Sequence, residues 1–186
     1  MHPGHDPYLP ADPQAFHSAR PAQGRVVVIA PTRAACETIE IAIGLHLDTV
    51  LEAEHGAEIR DLAARGAGFG IVAATGTGKT LAIRPIAETI LAAPLRIGVV
   101  NREREATPET PTWNVVIVTT GIARRWFQAG LITGRDTIIA DEIHQTSAEL
   151  ELCLALGKRA GCRFISCRAM ISKVRILSLK ASWRFF

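Results

Sequence analysis

No apolar run in the sequence approaches the roughly 20 residues that a membrane-spanning helix needs. The first 19 residues contain no lysine or arginine and no apolar segment of the kind found in an export signal. Neither a span nor a signal peptide is expected. The four cysteines, Cys36, Cys153, Cys162 and Cys167, lack the paired C-x-x-C spacing of a zinc site. A chain with 48% apolar residues has no need of a disulfide framework, so the cysteines are expected as small core residues in a reducing, cytoplasmic setting. His2 and His5 offer at most a loose N-terminal pair for a metal. At 186 residues the chain is long enough for one ordinary domain and too short for two full nucleotide-hydrolase lobes.

Acidic residues are missing from the whole C-terminal stretch. Residues 152–186 hold 8 basic residues and no acid, giving +8, whereas the preceding 151 residues hold 13 basic against 18 acidic, giving −5. The total of +3 therefore conceals two unlike stretches. With 21% charged residues beside the apolar majority, the composition is that of a packed globular protein. Internal repeats and low-complexity segments are absent.

Residues 1–24 carry prolines at positions 3, 7, 10, 13 and 21 and few large apolar groups, so they are expected to form a flexible leader. Residues 25–66 read as an N-terminal strand and helical extension. Its strand, Arg25 to Ala30, is broken by Pro31; Thr32 is placed to cap a helix over 33–47, and a second helix covers 48–65. Residues 67–165 then alternate strand and helix: strands at 69–73, 97–100, 115–119, 137–140 and 162–165, and helices at 79–92, 121–129 and 148–158. Such alternation predicts a three-layer α/β domain with a mainly parallel sheet.

Between the first of these strands and its helix stands Ala73-Ala-Thr-Gly-Thr-Gly-Lys-Thr80. A phosphate cradle needs glycines where backbone amides must turn inward, a lysine for the β and γ phosphates, and a hydroxyl for Mg²⁺. Thr75, Gly76, Thr77, Gly78, Lys79 and Thr80 supply those parts, although Ala73 replaces the first glycine of the strict pattern. The apolar strand at 137–140 ends in Asp141-Glu-Ile-His144. A phosphate-loop ATPase needs one carboxylate at such a strand end for Mg²⁺ and a second to orient the attacking water. Asp141 and Glu142 fit those two roles.

The A-x-T-G-T-G-K-T loop followed by D-E-I-H resembles motifs I and II of the superfamily 2 helicases, in the DEAH/DExH branch, where alanine at the Ala73 position is normal. The resemblance covers roughly Gly68 to Ile165. It implies the first RecA-like, ATP-binding lobe of an ATP-dependent helicase acting on single-stranded RNA or DNA, with ATP and Mg²⁺ as cofactors. Lys79 and Thr80 would bind phosphate and metal, Asp141 would hold Mg²⁺, Glu142 would be the base, and His144 would couple the nucleotide site to the nucleic acid. Val118-Thr-Thr-Gly-Ile-Ala-Arg-Arg125 resembles the family's backbone-contacting Thr-x-Gly motif, with Thr119, Thr120, Gly121, Arg124 and Arg125 as the implied contacts.

The chain also departs from that pattern. The family's P-T-R motif follows the phosphate-loop helix, whereas here Ala30-Pro-Thr-Arg33 precedes the loop and is assigned to the N-terminal extension. A Ser-Ala-Thr is expected after Ile165, but Ser166-Cys-Arg-Ala-Met170 stands there, opening a basic tail over 166–186 that reads as truncated or out of frame, the alternative being a basic C-terminal strand and helix that bind nucleic acid. The arginine fingers of a second RecA-like lobe would have to come from a partner. Two other readings stay open: a non-catalytic nucleotide-binding scaffold, and a phosphate-loop ATPase that does not act on nucleic acid. Nothing singles out a base-reading residue among Arg60, Arg65 and Phe69.

Overall fold

A computed structural model describes residues 6–141, 147–169 and 174–179. An interior strand, β1 (Val26–Ala30), has all five residues buried. Val26, Val28 and Ala30 join one apolar cluster and Val27 and Ile29 the other, the period-two division of a strand covered on both faces. The remaining strands are β2 (Gly68–Ala73), β3 (Ile97–Val100), β4 (Val115–Thr119), β5 (Thr137–Ala140), β6 (Arg163–Ala169) and β7 (Arg175–Leu179). They form one sheet in the order β3-β4-β1-β5-β6-β2-β7. Every neighbouring pair is parallel except β2 with β7.

On one face lie α2 (Arg33–Gly44), α3 (Val50–Ala64) and α4 (Ile83–Leu91), which bury Cys36, Ile39, Ile43, Leu51, Ile59, Ile83 and Ile86. On the other lie α1 (Pro13–Ser18), α5 (Thr120–Gln128) and α6 (Ala148–Ala160), contributing Phe16, Ile122, Trp126, Leu150 and Cys153. The three-layer α/β arrangement with a mainly parallel sheet is as expected, and it is compatible with a RecA-like fold. Among the described residues, no helix is long and apolar enough to cross a membrane.

Several expectations about the ends of the chain need correction. The segment 25–66 is not an appendage, because β1 pairs with β4 on one side and β5 on the other and so lies inside the sheet. The described part of the leader is also docked. Asp12 accepts from the backbone N–H groups of Gln14 and Ala15 and starts α1, and Phe16 is 1% exposed, edge-on to Trp126 with ring centroids 5.3 Å apart. Arg25 holds it there by donating to the carbonyls of Phe16 (2.7 Å), Trp113 (2.9 Å) and Pro111 (2.9 Å). Burial pulls the Arg25 guanidinium down to about 10, Arg20 adding to the effect and Asp136 opposing it. Arg20 adds an ion pair with Asp136 and a bond to Leu131 O at 2.6 Å, so single residues dock a segment whose overall composition is poor in apolar groups.

Helix boundaries shift as well. The helix expected over 33–47 ends at Gly44, with Leu45 extended, and the helix expected from Lys79 begins at Ile83, after a single turn closed by the Ala82 N–H donating to the Gly78 carbonyl. The boundary drawn at 165 falls inside β6, whose Cys167 is fully buried, and residues 175–179 of the basic tail form β7 against the free edge of β2.

All four cysteines are buried free thiols. Burial pushes Cys36 up to about 11, Cys153 and Cys162 up to about 12, and Cys167 upward too. The native thiols stay neutral while unfolded ones ionise near 9, so stability falls as pH climbs from about 9 towards these raised values. A thiol-reactive disulfide reagent at pH 8 should accordingly label none of the four in native protein and all four in urea. Phe16→Ala should cost about 3 kcal/mol in urea unfolding; a loss near zero would mean that the leader is not docked.

Candidate nucleotide and nucleic-acid site

In a parallel sheet all strands end on the same edge, and ligands sit beyond it. Here β2 delivers the phosphate loop, β5 delivers Asp141, β1 delivers Pro31–Arg33 and β4 delivers Thr119–Gly121 to that edge. The strand β6 stands between β2 and β5, with Ile165 paired to Phe69 on one side and to Ile139 on the other. Two interstrand steps of about 4.8 Å therefore separate the loop strand from the acidic strand. Thr80 closes that distance: its Oγ1 donates to Asp141 Oδ2 at 3.0 Å. The Asp141 N–H in turn donates to Ile29 O at 3.4 Å, extending the β5 ladder towards β1, and the residue is 5% exposed.

The loop carries its own internal order. Thr77 Oγ1 donates to Ala74 O at 2.8 Å, and Lys79, 8% exposed, donates through Nζ to Ala73 O at 3.0 Å and Ala74 O at 2.7 Å. Lys79 thus keeps its charge over the loop on neutral acceptors, which a phosphate oxygen can replace with a stronger, charge-assisted partner. Thr75 and Gly76 are exposed at the tip. The start of α3 covers the other flank of the loop, where the Leu51 N–H donates to Thr77 O at 3.4 Å. Beside this contact a pocket of about 270 Å³ opens between the α2–α3 connection and α4, lined by Leu45, His46, Leu47, Leu81, Arg84 and Pro85 among others. Of the three residues considered for base reading, Arg60 lines this pocket and Arg65 and Phe69 do not.

A second concavity, about 530 Å³, lies further along the edge and joins Pro31, Thr32, Arg33 and Ala34 to Thr119, Thr120 and Gly121, with Arg102, Glu103 and Glu149 on its walls. Thr119 precedes α5 without a side-chain capping bond, whereas Thr120 donates to Glu149 Oε2 at 3.1 Å. Arg124 and Arg125, expected beside these residues, do not line the concavity; Arg124 is half-buried and Arg125 pairs with Asp6 at 3.0 Å. Glu142 and His144 lie outside the described residues. The turn at Pro31–Arg33 is the element that chain order concealed, since its string precedes the loop while its strand sits between those carrying Thr119 and Asp141.

No protein-family model, curated protein or solved structure matches the chain. The geometry therefore stands alone. Thr80 and Asp141 are hard oxygen donors, the kind that magnesium takes in ones and twos while phosphates and water complete its shell. Among the described residues no group of three or more His, Cys, Asp and Glu forms a site for a fully protein-ligated metal.

Gly76 and Gly78 test the cradle separately, because both have positive φ (+81° and +97°) but only Gly78 is crowded. A Cβ at Gly78 would meet Thr49 Cβ at 2.6 Å, whereas at Gly76 it would meet nothing within 4 Å. Gly76→Ala should cost about 1 kcal/mol of backbone strain. Gly78→Ala should also displace the start of α3 and weaken binding of a fluorescent ATP analogue at least tenfold; equal affinities for the two variants would contradict this packing.

Proposed function

We propose that the chain is the ATP-binding motor lobe of a DExH-type helicase, coupling nucleotide hydrolysis to its grip on single-stranded RNA or DNA. The observation that carries this reading is the Thr80 hydroxyl meeting Asp141 across an intervening strand, with Lys79 in the loop between. Lys79 and the loop amides would hold the β and γ phosphates, Thr80 and Asp141 the magnesium, and the pocket beside α4 would take the nucleoside. Magnesium bound there neutralises charge that develops on the phosphates during transfer. Glu142, next in sequence to Asp141, is assigned the orientation of the attacking water, and His144 the coupling to the neighbouring groove.

The groove supports the second half of the reading. Hydroxyls at Thr119 and Thr120, the start of α5 and the guanidinium of Arg33 are the groups a phosphate backbone engages. Arg124 and Arg125 sit one helical turn beyond Thr120 and Gly121, so a strand leaving the groove along α5 would meet them. A second RecA-like lobe or a partner would add arginine fingers, whose absence from phosphoryl-transfer sites costs about 10³ to 10⁵ in rate. Alone, the chain is expected to bind nucleotide and hydrolyse it slowly.

Phosphate release measured with and without an unstructured oligonucleotide tests this directly. Turnover should rise with the oligonucleotide, fall steeply between 50 and 200 mM salt, and drop at least about 100-fold in Glu142→Gln, which spares ATP binding. Binding with no turnover would favour a non-catalytic scaffold. Turnover indifferent to nucleic acid would favour a phosphate-loop ATPase of another kind.

A further inference from the structure

The groove is built from groups that suit a phosphate backbone, yet the chain's own carboxylates already hold them. Arg33 is ion-paired with Glu103, and Thr120 donates to Glu149. The walls contain two arginines, Arg33 and Arg102, and two glutamates, Glu103 and Glu149, so the lining carries no net charge. A neutral lining gives a polyanion little attraction, because affinity for a phosphate backbone comes from cationic groups that release its counterions.

The same arrangement recurs one turn along α5. Asp6 in the leader accepts from Arg125 Nη1 through both carboxylate oxygens, at 3.2 and 3.0 Å, and the Arg125 guanidinium lies 5.3 Å from the centre of the Tyr8 ring. Tyr8 then reaches the groove itself, its hydroxyl donating to the carbonyl of Arg102 at 3.4 Å, while the Ala106 N–H donates to Pro7 O at 2.9 Å. The leader therefore spans from α5 to the turn after β3, beside the groove. It is anchored in the core through Phe16 and, at Tyr8 itself, through the bond from Trp126 Nε1 to Tyr8 O at 2.7 Å.

We infer that the nucleic-acid face is self-masked: Glu103 and Asp6 hold Arg33 and Arg125 as a phosphate backbone would, and single strands bind by displacing them. This rests on the nucleic-acid reading above and adds a regulatory contact to it. The masking pairs are partly exposed, with side chains 54% and 58% exposed for Arg33 and Glu103 and 43% and 29% for Arg125 and Asp6. Exposed pairs of this kind are weak, and their exchange for another anion is cheap. Displacing Asp6 with the leader would free Arg125, while Arg33 is freed when Glu103 gives way, and neither step requires the domain to unfold.

The test measures binding of a fluorescein-labelled 20-nucleotide oligo-dT and oligo-U to the full chain by anisotropy at 50 and 200 mM salt. Asp6→Asn and Glu103→Gln are compared with Asp61→Asn, which makes the same change in net charge in a pair with Arg65 on α3. Each unmasking variant should bind three- to tenfold more tightly than wild type at 50 mM salt. The gain should shrink at 200 mM, with a salt slope steeper by about 0.7 for each arginine released to a single strand. Asp61→Asn should stay within twofold of wild type. If Asp6→Asn and Glu103→Gln bind no better than Asp61→Asn, or if Glu103→Gln binds worse because Glu103 positions Arg33, the masking is overturned while the nucleic-acid reading survives. If wild type and every variant fail to bind at 50 mM salt, the nucleic-acid reading fails and the masking with it.

Discussion

The parallel pairing of β1 with β4 and β5 is the constraint on which the remaining structure depends. With five buried residues facing two apolar clusters, β1 cannot slip by one residue without exchanging the groups it offers to each face. Its fixed register places Ala30 beside Thr119 and Ile29 beside Ala140. The turns that follow these strands are then neighbours whatever their separation in the chain. The phosphate loop joins the same edge through β6, and the Thr80 to Asp141 hydrogen bond spans the remaining gap.

A second dependence runs through Arg25, the residue before β1. Its guanidinium is inside the protein and lies 3.8 Å from the centre of the Phe16 ring. A buried cation must be met by acceptors, and the carbonyls that meet it come from α1 and from the residues leading into β4. The Arg25 N–H also donates to Asp136 at 2.8 Å, just ahead of β5. One residue thus ties together the entries of three adjacent strands and the leader. Asp6 and Tyr8 are carried to the groove because Phe16 and Arg25 have already fixed the chain that follows them.

The alternating elements from Phe69 to Ile165 were legible because each strand is a short apolar run, and α6 is bounded by a cap at Ser147 and a stop at Gly161. The meeting of residues 73–80 with Asp141 was legible for a different reason: a glycine-rich turn after one apolar strand and a carboxylate at the end of another share an edge in a parallel sheet, and Thr80 and Asp141 do come within hydrogen-bond distance. Position in the sheet was not legible. Chain order placed Val26–Ala30 outside the domain, but strand order obeys packing, and a fully apolar β-branched run belongs in the middle of a parallel sheet. The docking of the leader was not legible because composition averages over a segment, whereas the contacts come from single residues: Phe16 against Trp126, Arg20 with Asp136, and the Tyr8 carbonyl under Trp126. The carboxylates at Glu103, Glu149 and Asp6 had no signal in the sequence, since acidic residues this far apart meet their partners only after folding.

The charge asymmetry takes on a physical meaning once the residues are placed. The +8 of residues 152–186 is not a uniform basic surface. Arg163 spends its guanidinium internally, donating to Ala67 O at 2.8 Å and Leu62 O at 2.9 Å behind α3, and burial lowers its pKa. Arg168 and Arg175 are exposed and flank Val72 from both sides, one residue before the phosphate loop begins. Positive charge is therefore placed towards the proposed nucleotide end of the edge, while the groove end is balanced by its own glutamates. On the proposed reading a nucleic-acid backbone would first break weak internal pairs, one made by the leader through Asp6 and one by Glu103 in the turn after β3.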